Sequence, residues 1–370
     1  MAHGPDTAAP RPPREGGRRA HSPSSNAQGR YSYAALDLGT NNCRLLIARP
    51  ADDGFVVVDA FSRIVRLGEG LAATGRLSDA AMDRAVSALS VCADKLRRRR
   101  VGLVRSVATE ACRRAANGRE FVERVYRETG IALEVITPEQ EARLAVLGCH
   151  ALLEPGEGSA LVFDIGGGST ELILIDADNS PPRVIDWFSA PWGVVSLSET
   201  EPHVGDDRDS LLASYARMRA RVAEGFSQFA ARLNRGTLPG RLLGTSGTVT
   251  TLASVHLDLP SYDRRQIDGL IVPVTAMRDI SARLSGMSVS ERAELPCIGQ
   301  ERADLVVAGC AILDAILDIW PAERLGVADR GIREGILRSL MARDRAQAMS
   351  RQAGSPAGPD IAADKNRNMQ

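Results

Sequence analysis

Two aspartates open the chemical reading. Asp37 stands in "ALDLGTNNCRLLIA" and Asp164 in "VFDIGGGSTELILI", and the two stretches superimpose without a gap at an offset of 127 residues (164 − 37). Gly39 falls on Gly166, Asn42 on Ser169 and Arg44 on Glu171. In each copy a strand ends in Asp-x-Gly, a polar loop follows, and a second strand leaves. Bare backbone amides at such a turn approach an anion closely, with side-chain donors alongside. Two such turns facing each other across a cleft would clamp a phosphate chain. One glycine turn alone would mean only a tight hairpin; the matched acids in both copies favour phosphate. Two familiar glycine signatures do not fit. A P-loop needs Gly-Lys-Ser/Thr and a helix, and a dinucleotide fingerprint needs a helix directly after its glycines. Here Glu171 to Ile175 reads as a strand.

The elements around these loops alternate, which indicates an α/β protein. "YAALDL", "CRLLIARP" and "GFVVVDAFSRIVRL" read as strands. "LSDAAMDRAVSALSVCADKLRRRR" predicts a helix capped by Ser78, with Met82, Val86, Leu89, Ala93 and Leu96 on one face. Arg97 to Arg100 suit the negative end of its dipole. "VGLVRSVAT" is a strand, "REFVERVYRET" a helix ended by Gly130, and "IALEVI" a strand. "TPEQEARLAVLGCHALL" carries a full start signal: Thr137 as cap, Pro138 at the first position and Gln140 where a capping box needs it. Glu141 therefore lies in a first helical turn, where the dipole favours the carboxylate anion and so a group ready to take a proton. Further on, Asp209 to about Leu233 reads as a long helix, and "GRLLGTSGTVTTLASV" as strand, glycine loop and helix. "ERADLVVAGCAILDAILDIW" and "ADRGIREGILRSLMA" read as the last two helices.

Length and composition narrow the field. A chain of 370 residues suggests two domains. Lys plus Arg total 46 and so do Asp plus Glu, which gives no sign of a nucleic-acid partner. No stretch approaches the roughly 18 apolar residues of a membrane span, and the N-terminus has no hydrophobic segment of secretory type. The six cysteines are scattered without a C-x-x-C pair, which fits free thiols in a reducing cytoplasm. The five histidines form no H-E-x-x-H, so no histidine metal site is expected. Residues 1–30 are rich in Pro, Gly, Ser and Arg and read as a disordered tail, as does the end from about 346.

The sequence resembles the exopolyphosphatase and guanosine-pentaphosphate phosphatase (Ppx/GppA) family over about Tyr33 to Leu340. The matching blocks are "ALDLGTNNCRLLI", "LGEGL…GRLS", "VATEACRRAANG", "EVITPEQEARL", "VFDIGGGSTEL", "GTSGTVTTLA", "ERADLVVAGCAIL" and "GIREGIL". The two Asp-x-Gly loops alone mark only the wider actin-like, sugar-kinase and Hsp70 superfamily. "EARL" shortly before "DIGGGSTEL", with "ATEACRRA" upstream, is specific to the family.

The resemblance implies Mg²⁺-assisted hydrolysis of a terminal phosphoanhydride of inorganic polyphosphate, guanosine pentaphosphate or both. It implies Glu141 as catalytic base and Asp164 as its partner carboxylate, holding Mg²⁺ or water. Asp37, Gly39, Thr40 and Asn41 would contact phosphate from the first loop, and Gly166, Gly167, Gly168 and Ser169 from the second. Asp164, Asp37 and Glu171 are the metal candidates. Arg113 stands at the family's T-x-x-x-R position and is expected on the phosphate. Gly247 and Thr248 of "GTSGTVT" are expected to hold a distal part of the substrate. Asn42, Ser246 and Asp268 depart from the usual residues, which are Ser or Thr, Gly, and His.

The expected architecture is two ribonuclease H-like (actin-like ATPase) domains with the active site in the cleft between them. The first spans 31–143 and recovers about 331–345; the second spans 144–330. A superfamily kinase or ATPase, and a guanosine tetraphosphate or pentaphosphate sensor with little turnover, are the alternatives. The sequence leaves homodimer formation open.

Overall fold

The computed structural model describes residues 31–52, 54–179, 181–202, 205–233 and 239–353, with side chains to Ser350. The tails expected at 1–30 and beyond 353 lie outside the described residues.

Two sheets share one topology. In the first, β1 (Ser32–Leu38), β2 (Asn42–Ala51) and β3 (Gly54–Ile64) run antiparallel, and β4 (Val101–Ala108) and β5 (Leu133–Val135) continue parallel to β1. The order is β3-β2-β1-β4-β5. In the second, β6 (Ser159–Ile165), β7 (Thr170–Asp176) and β8 (Arg183–Ala190) run antiparallel. β9 (Arg241–Thr245) and β11 (Arg324–Ala328) continue parallel to β6, and β10 (Ile271–Pro273) closes the edge. Read from β8, the order is β8-β7-β6-β9-β11-β10, the first pattern with one strand added. The fold is the paired ribonuclease H-like α/β architecture.

The repeat seen in the sequence holds at the level of single bonds. Asp37 pairs with Arg44 across the first hairpin and Asp164 with Glu171 across the second. Gly39 N donates to Asn42 O, and Gly166 N to Ser169 O, each at 2.9 Å.

The helices of the first half are α1 (Leu71–Thr74), α2 (Asp79–Arg98), α3 (Glu110–Arg114) and α4 (Gly118–Thr129). Ser78 caps α2, accepting from Ala81 N at 3.2 Å, and of the expected apolar face Met82, Val86, Leu89 and Ala93 are buried and Leu96 is half-buried. Then comes α5 (Pro138–Cys149), whose capping box has both halves in place: Gln140 N donates to Thr137 Oγ1 and Thr137 N to Gln140 Oε1. The second half carries α6 (Val194–Thr200), α7 (Arg208–Arg232), α8 (Gly247–His256), α9 (Arg264–Ile267) and α10 (Val274–Ser285). It ends with α11 (Val289–Ala293), α12 (Val306–Ile319) and α13 (Ile332–Ala353).

Three boundaries differ from those expected. The division placed at 143/144 falls inside α5, whose Ala142, Ala145 and Val146 pack with Ala160, Val162 and Ile173 of the second sheet. The apolar spacing of α5 is continuous, so sequence gave no break to mark. The last helix is longer than "ADRGIREGILRSLMA" and runs into the segment read as tail. Its packing comes from Ile336, Leu337 and Met341 against Tyr33, Ala35, Leu46 and Ala48 of the first sheet. Finally, α12 begins at Val306 rather than Glu301, because residues 301–305 form turns that bring Arg302 toward the cleft.

Candidate active site

One cavity of about 140 Å³ lies between the sheets. Asp37, Gly39, Thr40 and Asn41 line it from the first hairpin loop. Asp164, Gly166, Gly167, Gly168, Ser169 and Glu171 line it from the second. Glu141 enters from the first turn of α5, and Gly247 and Thr248 from the start of α8. All the expected site residues therefore meet in one place except Arg113.

The loops also touch each other. None of Gly166, Gly167 and Gly168 has the positive φ that would demand glycine. Space is what demands it. A Cβ on Gly167 would lie 3.0 Å from Asn41 N, and one on Gly168 would lie 2.6 Å from Thr40 Oγ1. The N-terminus of α6 supports the second loop from beneath, with Val194 N on Gly166 O at 2.9 Å and Val195 N on Gly167 O at 2.8 Å.

Arg113 does not face the cavity. Its Nη1 donates to Glu141 Oε2 at 3.2 Å and to Ile136 O at 2.7 Å, and its Nη2 donates to Glu110 Oε2 at 2.6 Å. Burial works against its charge, but Glu141 and Glu110 raise its pKa overall. Its guanidinium thus holds Glu141. Spacing fixes a position on a helix and not the direction of a guanidinium. The Ser169 hydroxyl donates to Glu171 Oε1 at 2.8 Å.

The cationic wall comes from residues the sequence reading did not select. Arg44, Arg302, Arg330 and Arg333 all line the cavity. Arg302 Nη1 donates to Thr251 Oγ1 at 2.8 Å. Arg330 Nε donates to Asp268 Oδ2 at 2.6 Å, while Asp329 N donates to Asp268 Oδ1 at 3.0 Å. The Asp268 departure thus holds an arginine in place. Glu334, 2 % exposed, accepts from Gly331 N and from Arg264 Nη2, each at 2.9 Å, and so fixes the turn that presents Arg333. Burial and the nearby Arg44 lower the pKa of Arg333. The available signal was Arg44, which aligns with Glu171 in the repeat; the other three lie far along the chain.

Four carboxylates face this wall. Glu141 is 6 % exposed, and its pKa is raised well above the ordinary value by burial and by the neighbouring Glu171. The helix dipole contributes about 0.3–1 kcal/mol, and burial of a carboxylate outweighs that. Glu141 is therefore not the readily ionised first-turn acid expected from its position. Burial raises Asp164 to about 6, and burial with the Asp164 charge raises Glu171 to about 7. Asp37 is raised by burial, with Arg44 acting in the opposite sense. Its buried Oδ1 has no hydrogen-bond partner.

The third loop has its own peculiarity. Ser246, before α8, sits at φ 117° and ψ 172° and makes no side-chain cap. Only glycine occupies that region comfortably. Its buried Oγ has no partner.

Matched hairpins on two sheets of one topology, with a buried acid cluster and an arginine wall between them, define a two-domain protein of the ribonuclease H-like class. The profile of the Ppx/GppA phosphatase family matches residues 46–344, and the chain belongs to that family. Exopolyphosphatase 2 of Mycobacterium tuberculosis is 32 % identical over 321 residues, covering 83 % of this chain and 98 % of that protein. The guanosine-5'-triphosphate,3'-diphosphate pyrophosphatase of Aeromonas salmonicida is 29 % identical, covering 84 % of this chain and 59 % of its own length. The crystal structure of the Aquifex aeolicus Ppx/GppA family member superimposes with a TM-score of 0.70 at 30 % identity, covering 85 % of this chain and 98 % of that one.

Proposed function

We propose that the protein hydrolyses phosphoanhydride bonds and releases orthophosphate from the end of inorganic polyphosphate. The observation that carries this is Glu141: a buried carboxylate, held by Arg113, on the same cavity as both hairpin loops and four arginines. The four arginines and two glycine loops that line the cavity offer charge and amide donors to successive phosphates, which favours a phosphate chain.

In this reading the arginines and loop amides bind the chain and fix its terminal phosphorus. Glu141 accepts a proton from water as the water oxygen attacks that phosphorus. The bond to the bridging oxygen breaks, and that oxygen leaves on the shortened chain. Arg113 holds Oε2 of Glu141, so the other oxygen is free for water. A raised pKa strengthens the base once it is ionised.

The residues fit Mg²⁺. Asp37 Oδ1 is buried and unpartnered, and Asp164 and Glu171 face the same space. Mg²⁺ takes oxygen ligands and keeps several waters, so one or two of these carboxylates with substrate oxygens would be enough to hold it. Bound there, Mg²⁺ would neutralise charge on the transferred phosphoryl group.

The test is orthophosphate release from polyphosphate and from guanosine pentaphosphate with Mg²⁺, comparing wild type with Glu141→Gln. Loss of a general base lowers kcat by about 10²–10⁴-fold. Unchanged turnover in the variant removes Glu141 from the mechanism. Transfer to an acceptor would favour a kinase, and tight binding of guanosine tetraphosphate without release would favour a sensor.

A further inference from the structure

The "LGEGL" block has no part in the chemistry above, yet it touches both halves of the site. Residues 65–70 leave β3 and cross the edge of the cleft. Val65 N and Arg66 N both donate to Asn41 O, at 2.8 and 3.0 Å, and Gly68 N donates to Thr40 O at 2.9 Å. These carbonyls belong to the first hairpin loop. Arg84 of α2 holds the segment from behind, with Nε on Val65 O at 2.9 Å and Nη2 on Arg66 O at 3.2 Å.

The other side of the segment reaches the second half. Arg66 Nη1 donates to Asp304 Oδ2 at 2.9 Å, and Nη2 to Asp304 Oδ1 at 3.3 Å and Glu301 O at 3.4 Å. Glu301 and Asp304 flank Arg302 of the cationic wall. Gly70 N donates to Glu199 Oε1 at 2.8 Å. Glu199 lies on α6, the helix whose first turn carries the second hairpin loop; Ser196 Oγ there donates to Gly168 O at 3.1 Å. Arg66 holds φ 46°, in the left-handed region that a non-glycine residue enters only when its surroundings impose it.

We propose that residues 65–70 form a strap that sets the spacing and orientation of the two hairpin loops, with Arg66 and Glu199 as positioning residues. The strap is bonded to the first loop through backbone, to α6 beneath the second loop through Glu199, and to the turns that carry Arg302 through Arg66. Loss of either cross-cleft contact frees one loop relative to the other. The reading of its kinetic effect rests on the proposed hydrolysis; the structural claim does not. The Arg66 and Asp304 side chains are 36 % and 38 % exposed, so each contact is a modest one. Its removal reads as about a two- to fivefold change.

The test uses the full chain and the variants Arg66→Ala, Arg66→Lys and Glu199→Ala. Hydrogen exchange is followed at peptides containing residues 39–42 and 166–169, and orthophosphate release from polyphosphate gives kcat and KM. The strap predicts about two- to fivefold faster exchange at both loops in the alanine variants, with kcat falling more than KM rises and Arg66→Lys recovering most of the loss. Exchange that changes only within residues 65–70, or nowhere, overturns the proposal. Glu199 is exposed, so Glu199→Ala decides the matter if Arg66→Ala does not fold. A wild type that releases no orthophosphate sinks the proposed function, and the exchange data still judge the strap.

Discussion

Replacing Ser246 by glycine should stabilise the protein and weaken its grip on substrate. The residue sits at φ 117°, ψ 172°, a conformation open almost only to glycine, and holding another residue there costs about 1–3 kcal/mol. Its buried hydroxyl lacks a partner in the protein, which adds a further penalty. Against this, glycine gives the unfolded chain more freedom, worth about 0.5–1 kcal/mol. The balance is a gain of about 1–2 kcal/mol. With an unfolding entropy of about 2.1 cal/mol/K per residue, a chain of 370 residues shifts in Tm by only about 1–3 °C, so the denaturant midpoint is the better readout. Ser246→Ala separates the contributions, because it keeps the Cβ and loses only the hydroxyl. Ser246 lines the cavity, and its hydroxyl is a free donor for a phosphate oxygen. Both variants should therefore raise KM for polyphosphate, while only glycine relieves the strain. A glycine variant no more stable than the alanine variant refutes the strain argument, and an unchanged KM in both refutes the donor role.

Other expectations concern charge and space. Glu171 is 2 % exposed and titrates at about 7, against 4.5 for the ordinary group. Its folded state binds the extra proton, so stability is greatest below about 4.5 and falls as pH rises toward 7; 2.5 pKa units correspond to about 3 kcal/mol. Thermal unfolding without divalent cations should show lower stability at pH 8 than at pH 5, and Mg²⁺ should restore part of it; a Tm indifferent to both removes the acid cluster as a source of strain. Arg113 lowers the pKa of Glu141, so Arg113→Met should move the rising limb of the kcat–pH profile to higher pH, and an unmoved limb means that the guanidinium does not tune the base. A Cβ at Gly193 would lie 2.4 Å from the carbonyl carbon of Gly167. Gly193→Ala should cost about 1–3 kcal/mol by overpacking and displace the second loop, seen as a lower denaturant midpoint with reduced orthophosphate release; wild-type values for both would mean the loop has room to move.

The fold was legible where local rules act alone. The capping box at Thr137 and Gln140 placed the start of α5, and with it Glu141. The alternation around Asp37 and Asp164 placed both hairpins. Residue types at fixed offsets carry that information. What stayed hidden depends on distant parts of the chain meeting. Arg302 and Arg330 enter the cavity from the turns before α12 and α13 and Arg333 from the first turn of α13, and nothing at offset three or four announces them. Arg113 was visible as a residue, and its pair with Glu110 follows from their i,i+3 spacing on α3; its hold on Glu141 was hidden, because that contact spans 28 residues and forms only when the chain folds. The ionisation of Glu141 was misjudged for the same reason: the dipole is local and visible, whereas Glu171 and the surrounding burial are tertiary.

The glycines of "DIGGGSTEL" show how one residue type answers two demands. Their backbone is ordinary, so the turn itself would accept other residues. Their missing side chains let Gly167 and Gly168 lie against Asn41 and Thr40 of the opposite loop. The two hairpins are thus in contact before any ligand enters, and their relative placement is a property of the protein. A phosphate chain bound by amides of both loops gains from that contact, since the donors are already arranged and little ordering remains to oppose binding. The same contact makes the arrangement sensitive to anything that shifts one hairpin against the other. The support of α6 beneath the second loop, and the backbone bonds from residues 65–68 to the first, are where such a shift would begin.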